Sequence, residues 1–177
     1  LDTPLPLADG RVLTFNDATT GTFTALYSES LWPQLTDGLT ELAAGNGSGL
    51  MALADSYLGR DSAGHYTNIQ DAFLGIGCID GSRTIDPAQA QQLAEKGAAA
   101  APFMASGDPP AAVKDPCDFW SVPTTPLQPV QDVPGLPQVL VISTTHDPAT
   151  PYQAGVNLAS TLDARLLTVD GTNHTAY

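Results

Sequence analysis

The sequence predicts an α/β chain in which a mostly helical first two-thirds leads into a terminal β-α-β unit of a parallel sheet. Three observations carry this. The run Val139-Leu140-Val141-Ile142 is continuous, apolar and β-branched, the pattern of a parallel strand buried on both faces. Leu166-Leu167-Thr168-Val169, after one short helical stretch, reads as a second strand. Ahead of both, apolar residues recur at helical spacing in short runs broken by glycine and proline. A length of 177 residues with 42% apolar content leaves room for one domain, or a piece of a larger one, with a core of its own.

From the start to about Asn16, Pro4, Pro6 and an Asp9-Gly10 turn predict an extended lead-in. Helical spacing begins at Thr22, with Phe23, Leu26 and Tyr27 on one side. A second helix opens near Pro33, carries Leu35, Leu39 and Leu42, and stops at Gly45, the expected proline-in, glycine-out punctuation. After the loop Gly45-Asn46-Gly47-Ser48-Gly49 come helical candidates over Leu50–Leu58, Ile69–Ile79 and the Ala-rich stretch from Pro87 to Met104. Pro123, Pro126, Pro129, Pro134 and Pro137 then make a stiff, extended connector. Beyond the first strand, Thr150-Pro151-Tyr152-Gln153 reads as a capping box with proline at the first helical position. The helix it opens carries Val156, Ala159 and Leu162 and ends near Asp163. Two strands cannot form a parallel sheet covered on both faces, so the remaining strands are expected from outside these residues.

Charge narrows the function classes. Six Lys+Arg against 19 Asp+Glu give a formal net charge of -13, which repels phosphate backbones and anionic headgroups. Nucleic-acid and membrane-surface binding are disfavoured, and no apolar run reaches the ~18 residues of a membrane span. Cys78 and Cys117 sit in no CxxC motif or Cys/His cluster, which argues against structural zinc. Either one disulfide or two buried free thiols accounts for them. A bridge would stabilise by roughly 4 kcal/mol in the chain-entropy model.

Chemistry concentrates at the strand ends. In open α/β sheets, catalytic groups gather beyond the carboxyl ends of the strands. Asp147 follows the first strand and His174 the second. Neighbouring parallel strands lie about 5 Å apart, so the two loops can bring a carboxylate onto an imidazole. Such a carboxylate fixes the histidine tautomer and leaves the other ring nitrogen as a general base. This is two-thirds of an acyl-transfer triad, in the Asp-then-His order of α/β-hydrolases. Taken singly, Asp147-Pro148 is also an ordinary turn and His174 an ordinary loop histidine. His146 is an alternative partner, or a metal ligand with Asp147 and His174, although adjacent residues point in different directions. His65 reads as a surface residue. No serine has glycine at both −2 and +2, and Ser48, in a glycine loop without a preceding strand, reads as a linker serine. The nucleophile and its oxyanion-hole amides are therefore expected outside this chain.

Several segments together resemble the tripeptidyl-aminopeptidase-like (TAP-like) α/β-hydrolases. They are Tyr27-Ser28-Glu29-Ser30-Leu31-Trp32-Pro33, Leu39 to Gly45, Leu53-Ala54-Asp55-Ser56-Tyr57, Ile76-Gly77-Cys78-Ile79-Asp80 and Pro116-Cys117-Asp118-Phe119-Trp120. The closing Asp147-Pro148-Ala149-Thr150-Pro151 and Val169-Asp170-Gly171-Thr172-Asn173-His174 resemble that family's last two core strands. The resemblance implies an α/β-hydrolase fold fragment, with residues 1–125 as a helical cap, or lid, and 126–177 as the C-terminal part of the core. It implies exported bacterial serine peptidases that release short peptides from a free N-terminus, with relatives that act on esters. Asp147 and His174 match the triad aspartate and histidine, and Cys78 and Cys117 match cap cysteines, which implies a disulfide. No cofactor or metal is implied. The implied partners are a peptide or acyl-ester substrate and the N-terminal half of the hydrolase, and the chain alone is expected to be inactive. A non-catalytic cap or interaction module that keeps both residues idle is the remaining alternative.

Overall fold

The computed structural model describes residues 1, 3–81, 86–104, 109–111, 114–125 and 133–176. The lead-in is a short antiparallel hairpin, β1 (Leu5–Pro6) and β2 (Val12–Leu13), turned at Gly10 with φ +85°. Helix α1 (Phe15–Leu26) then begins seven residues before the helical spacing predicted at Thr22. Its start is a capping box in which the Asp17 amide donates to the Thr14 hydroxyl and the Thr14 amide to the Asp17 carboxylate. The extended reading through Asn16 thus gives way at Thr14, because aspartate fills the third helical position in place of the usual glutamate.

Helices α2 (Trp32–Ala43) and α3 (Ser48–Leu58) follow, with a single 3₁₀ turn over Glu29–Leu31 ahead of α2. Gly45, at φ +86°, ends α2 as its sequence predicts. Ser48 is the first residue of α3 and not part of a loop. The three helices pack around Leu50, which is buried with Leu13, Ala25 and Leu53. Glycine makes this possible: a Cβ at Gly21 of α1 would lie 2.3 Å from the Leu50 carbonyl oxygen. Arg11 ties the hairpin to α3 through Asp55 at 2.9 Å.

Helix α4 (Ile69–Asp80) is joined by the Cys78–Cys117 disulfide to a 3₁₀ turn at Pro116–Phe119. Helix α5 (Pro87–Ala100) is shorter than the stretch predicted to Met104, because the chain breaks at Ala101-Pro102 into a 3₁₀ turn. Of the proline connector, residues 126–132 lie outside the described residues.

The C-terminal unit is β3 (Leu140–Thr144), α6 (Tyr152–Thr161) and β4 (Arg165–Val169), with β3 and β4 parallel in the register Leu140↔Arg165 to Thr144↔Val169. Helix α6 lies close on one face, where a Cβ on Gly155 would meet the Ser143 side chain at 2.5 Å. Leu140 and Ile142 remain exposed while Val141 and Ser143 are half-buried, so within this chain β3 is not buried on both faces. The capping box expected at Thr150 does not form. Pro151 is the N-cap with no side-chain bond, and the Thr150 amide is given to Asp147.

Candidate active site

The parallel ladder of β3 and β4 continues past their ends, with the Thr145 amide donating to the Val169 carbonyl and the His146 amide to that of Gly171. The Thr145 hydroxyl bonds Asp170 at 2.9 Å, which knits the two post-strand loops together. This delivers Asp147 and His174 to one place. His174 Nδ1 lies 3.0 and 3.1 Å from the two carboxylate oxygens of Asp147.

The Asp147 carboxylate is held by its own loop. The Ala149 and Thr150 amides each donate to Oδ1 at 2.8 Å, and the Thr175 amide reaches Oδ2 at 3.4 Å. Burial, with only 5% of the side chain exposed, would push the carboxyl up. The Thr150 and Ala149 amides, and then His174, outweigh it and hold the group well below its ordinary value of 3.8. An ionised carboxylate only accepts, so Nδ1 of His174 carries the hydrogen and donates it. In the neutral ring Nε2 is then the nitrogen left to accept a proton, and it has no hydrogen-bond partner among the described residues. The His174 side chain is 29% exposed, so that nitrogen can be reached.

The helical part holds the histidine from its other side. The His174 amide donates to the Tyr27 carbonyl at 3.2 Å, and the two rings meet edge-on with centroids 5.1 Å apart. The Thr172 hydroxyl donates to the Glu29 carboxylate, in the 3₁₀ turn that follows α1. Burial first, then Tyr57 and Asp147, raise the Tyr27 phenol above 10.0, so it stays neutral near pH 7. Thr175, directly after His174, sits at φ +67°, a conformation that a β-branched residue adopts only under constraint.

The other predicted candidates fall elsewhere. His146 does not form a ligand group with Asp147 and His174; the one such group among the described residues is Cys78, Asp115 and Cys117, whose sulfurs are joined as a disulfide. His65 is exposed beside Asp61. Ser48 opens α3, whereas Tyr57, near Tyr27, lies in its last turn, roughly 13 Å further along the helix axis. The sequence reading did not single out Tyr27, Glu29 or Thr175 for the site. The first two approach His174 only through tertiary packing. Thr175 could be read only as a neighbour of the histidine.

A β-α-β unit with an aspartate and a histidine in contact beyond its two strand ends, set against a helical part, is the C-terminal portion of an α/β-hydrolase fold. Residues 101–177 match the family model described as TAP-like protein. Over this segment the chain is similar to the TAP-like α/β-hydrolases. Over 175 residues it is 47% identical to Carboxylesterase B of Mycobacterium tuberculosis and to a putative hydrolase of Mycobacterium bovis. The match covers 98% of this chain and 34% of each relative. Over 176 residues it is 46% identical to Serine protease Hip1 of Mycobacterium tuberculosis, covering 97% of this chain and 33% of that protein. The chain thus spans about a third of the length of the curated relatives it matches.

Proposed function

We propose that this chain supplies the acid–base half of a serine hydrolase, with His174 as general base and then general acid and Asp147 as the group that orients it. The observation that carries the reading is the Asp147–His174 contact at 3.0 Å on a carboxylate already fixed by two backbone amides. Nε2 would take the proton of a serine hydroxyl as it attacks a carbonyl, and Asp147 would stabilise the imidazolium that results. His174 would then hand that proton to the leaving amine or alcohol. The serine and the oxyanion-hole amides lie outside these 177 residues, so the chain alone is expected to be inactive. The helical part, 1–125, acts as a cap over the site, which its contacts to the histidine loop support.

Within that class we favour an exported aminopeptidase that releases short peptides. The family resemblance supports the peptidase reading, and the Cys78–Cys117 disulfide is compatible with an oxidising compartment. Esterase activity is the second reading, favoured by the relative named Carboxylesterase B. The test is a comparison, on the whole protein that carries this chain, of a free-amine peptide amide, its N-blocked counterpart and a short acyl ester. Turnover of the free-amine peptide well above the other two is expected. Preference for the ester selects the second reading, and cleavage of none removes both.

A further inference from the structure

Beside the acid–base pair lies a cavity of about 390 Å³ that the mechanism above does not use. Its wall is Thr20, Phe23, Leu26 and Tyr27 of α1 and its C-cap, with Tyr57 of α3 and Pro148. None of the six carries a charge, in a chain whose net charge is -13. Two of them touch the acid–base pair: the Tyr27 ring packs on His174, and Pro148 is bonded in sequence to Asp147. Phe23 and Tyr57 are 39% and 44% exposed, so the cavity opens to incoming molecules. Its volume falls within the range of ligand pockets, and a cavity of about 150 Å³ is already enough for benzene.

We propose that this cavity is a specificity pocket for an apolar group of the substrate, about the size of a phenylpropyl or short alkyl chain, carried next to the scissile carbonyl. The inference rests on the hydrolase reading above and adds to it what the substrate must bear. Uncharged, mostly apolar walls gain affinity from desolvating such a group, and Tyr27, which packs on the His174 ring, brings it near the residue that moves the proton. The cavity alone does not assign the group to the acyl or the leaving side, and two substrate series separate these.

The experiment uses the whole protein that carries this chain. The first series compares nitrophenyl acetate with nitrophenyl 3-phenylpropanoate, and the second propyl acetate with 3-phenylpropyl acetate. The larger group should raise kcat/KM about tenfold or more in one series, and that series names the side. Phe23→Ala and Tyr57→Ala, at partly exposed positions where truncation spares the core, should each bring that ratio down toward one. Ratios near one in both series for the unaltered protein would overturn the pocket, as would a preference that both variants retain. Turnover with flat ratios removes the pocket alone; no turnover together with no reaction toward a fluorophosphonate removes the hydrolase reading as well.

Discussion

Tyr27 and His174 are joined twice, by a backbone hydrogen bond of 3.2 Å and by an edge-on ring contact at 88°. The end of the first helix therefore fixes both the main chain and the ring plane of the histidine, while Asp147 fixes its tautomer. Loss of the Tyr27 ring leaves the backbone bond and the Asp147 contact in place but frees the imidazole to tilt. In the whole protein, Tyr27→Ala should lower kcat about 10- to 100-fold, in line with the sensitivity of catalysis to small misplacements. Tyr27→Phe, which keeps the ring, should recover most of that loss. Equal losses in both variants would show that the hydroxyl matters and the ring contact does not.

Asp147 makes the fold acid-sensitive in a defined direction. Its carboxyl is held below 3.8 in the folded chain, so the unfolded state binds the proton more readily. The stability this adds is fully present above about pH 4 to 5 and is lost as pH falls through the folded value. Thermal unfolding between pH 2 and 6 should show a steeper acid decline for the unaltered chain than for Asp147→Asn. Parallel curves would mean that the amide cage does not hold an ionised carboxylate.

The disulfide should carry a large part of the stability of the segment around α4. It closes a separation of 39 residues, for which the chain-entropy model gives roughly 4 kcal/mol. Reduction, or Cys117→Ser, should lower Tm by about 10 °C for a chain of this size. A melting curve insensitive to reductant would argue that α4 is held by packing alone.

Gly21 permits the close approach of α1 and α3. An alanine there would drive its Cβ into the Leu50 carbonyl, a backbone atom that cannot swing aside. Gly21→Ala should destabilise by about 1–3 kcal/mol, the usual range for overpacking, despite alanine's better helix propensity. Denaturant unfolding measures this directly, and a gain in stability would contradict the packing described.

The sequence made the β-α-β unit legible because two strand-like runs flanking one short amphipathic helix have few other readings. That pattern placed Asp147 and His174 at corresponding strand ends, and the structure joins them. Local chemistry misled in two places. Thr14 began a helix with aspartate as its capping partner, and Thr150, which resembles an N-cap, gives its amide to Asp147 instead. The grip of the first helix and the 3₁₀ turn after it on the histidine loop left no sequence signal at all. The side-chain bond joins Glu29 of that turn and Thr172, 143 residues apart, and neither residue type announces such a partner.

The central claim is that Asp147 and His174 activate a serine contributed from outside these 177 residues. The most direct measurement is the rate of covalent labelling of the whole protein by a fluorophosphonate, with the labelled residue located by mass spectrometry. The account predicts a single labelled serine outside this chain, and at least a 100-fold slower reaction for His174→Ala. A labelled serine within the chain, or a rate that His174→Ala leaves intact, would contradict it.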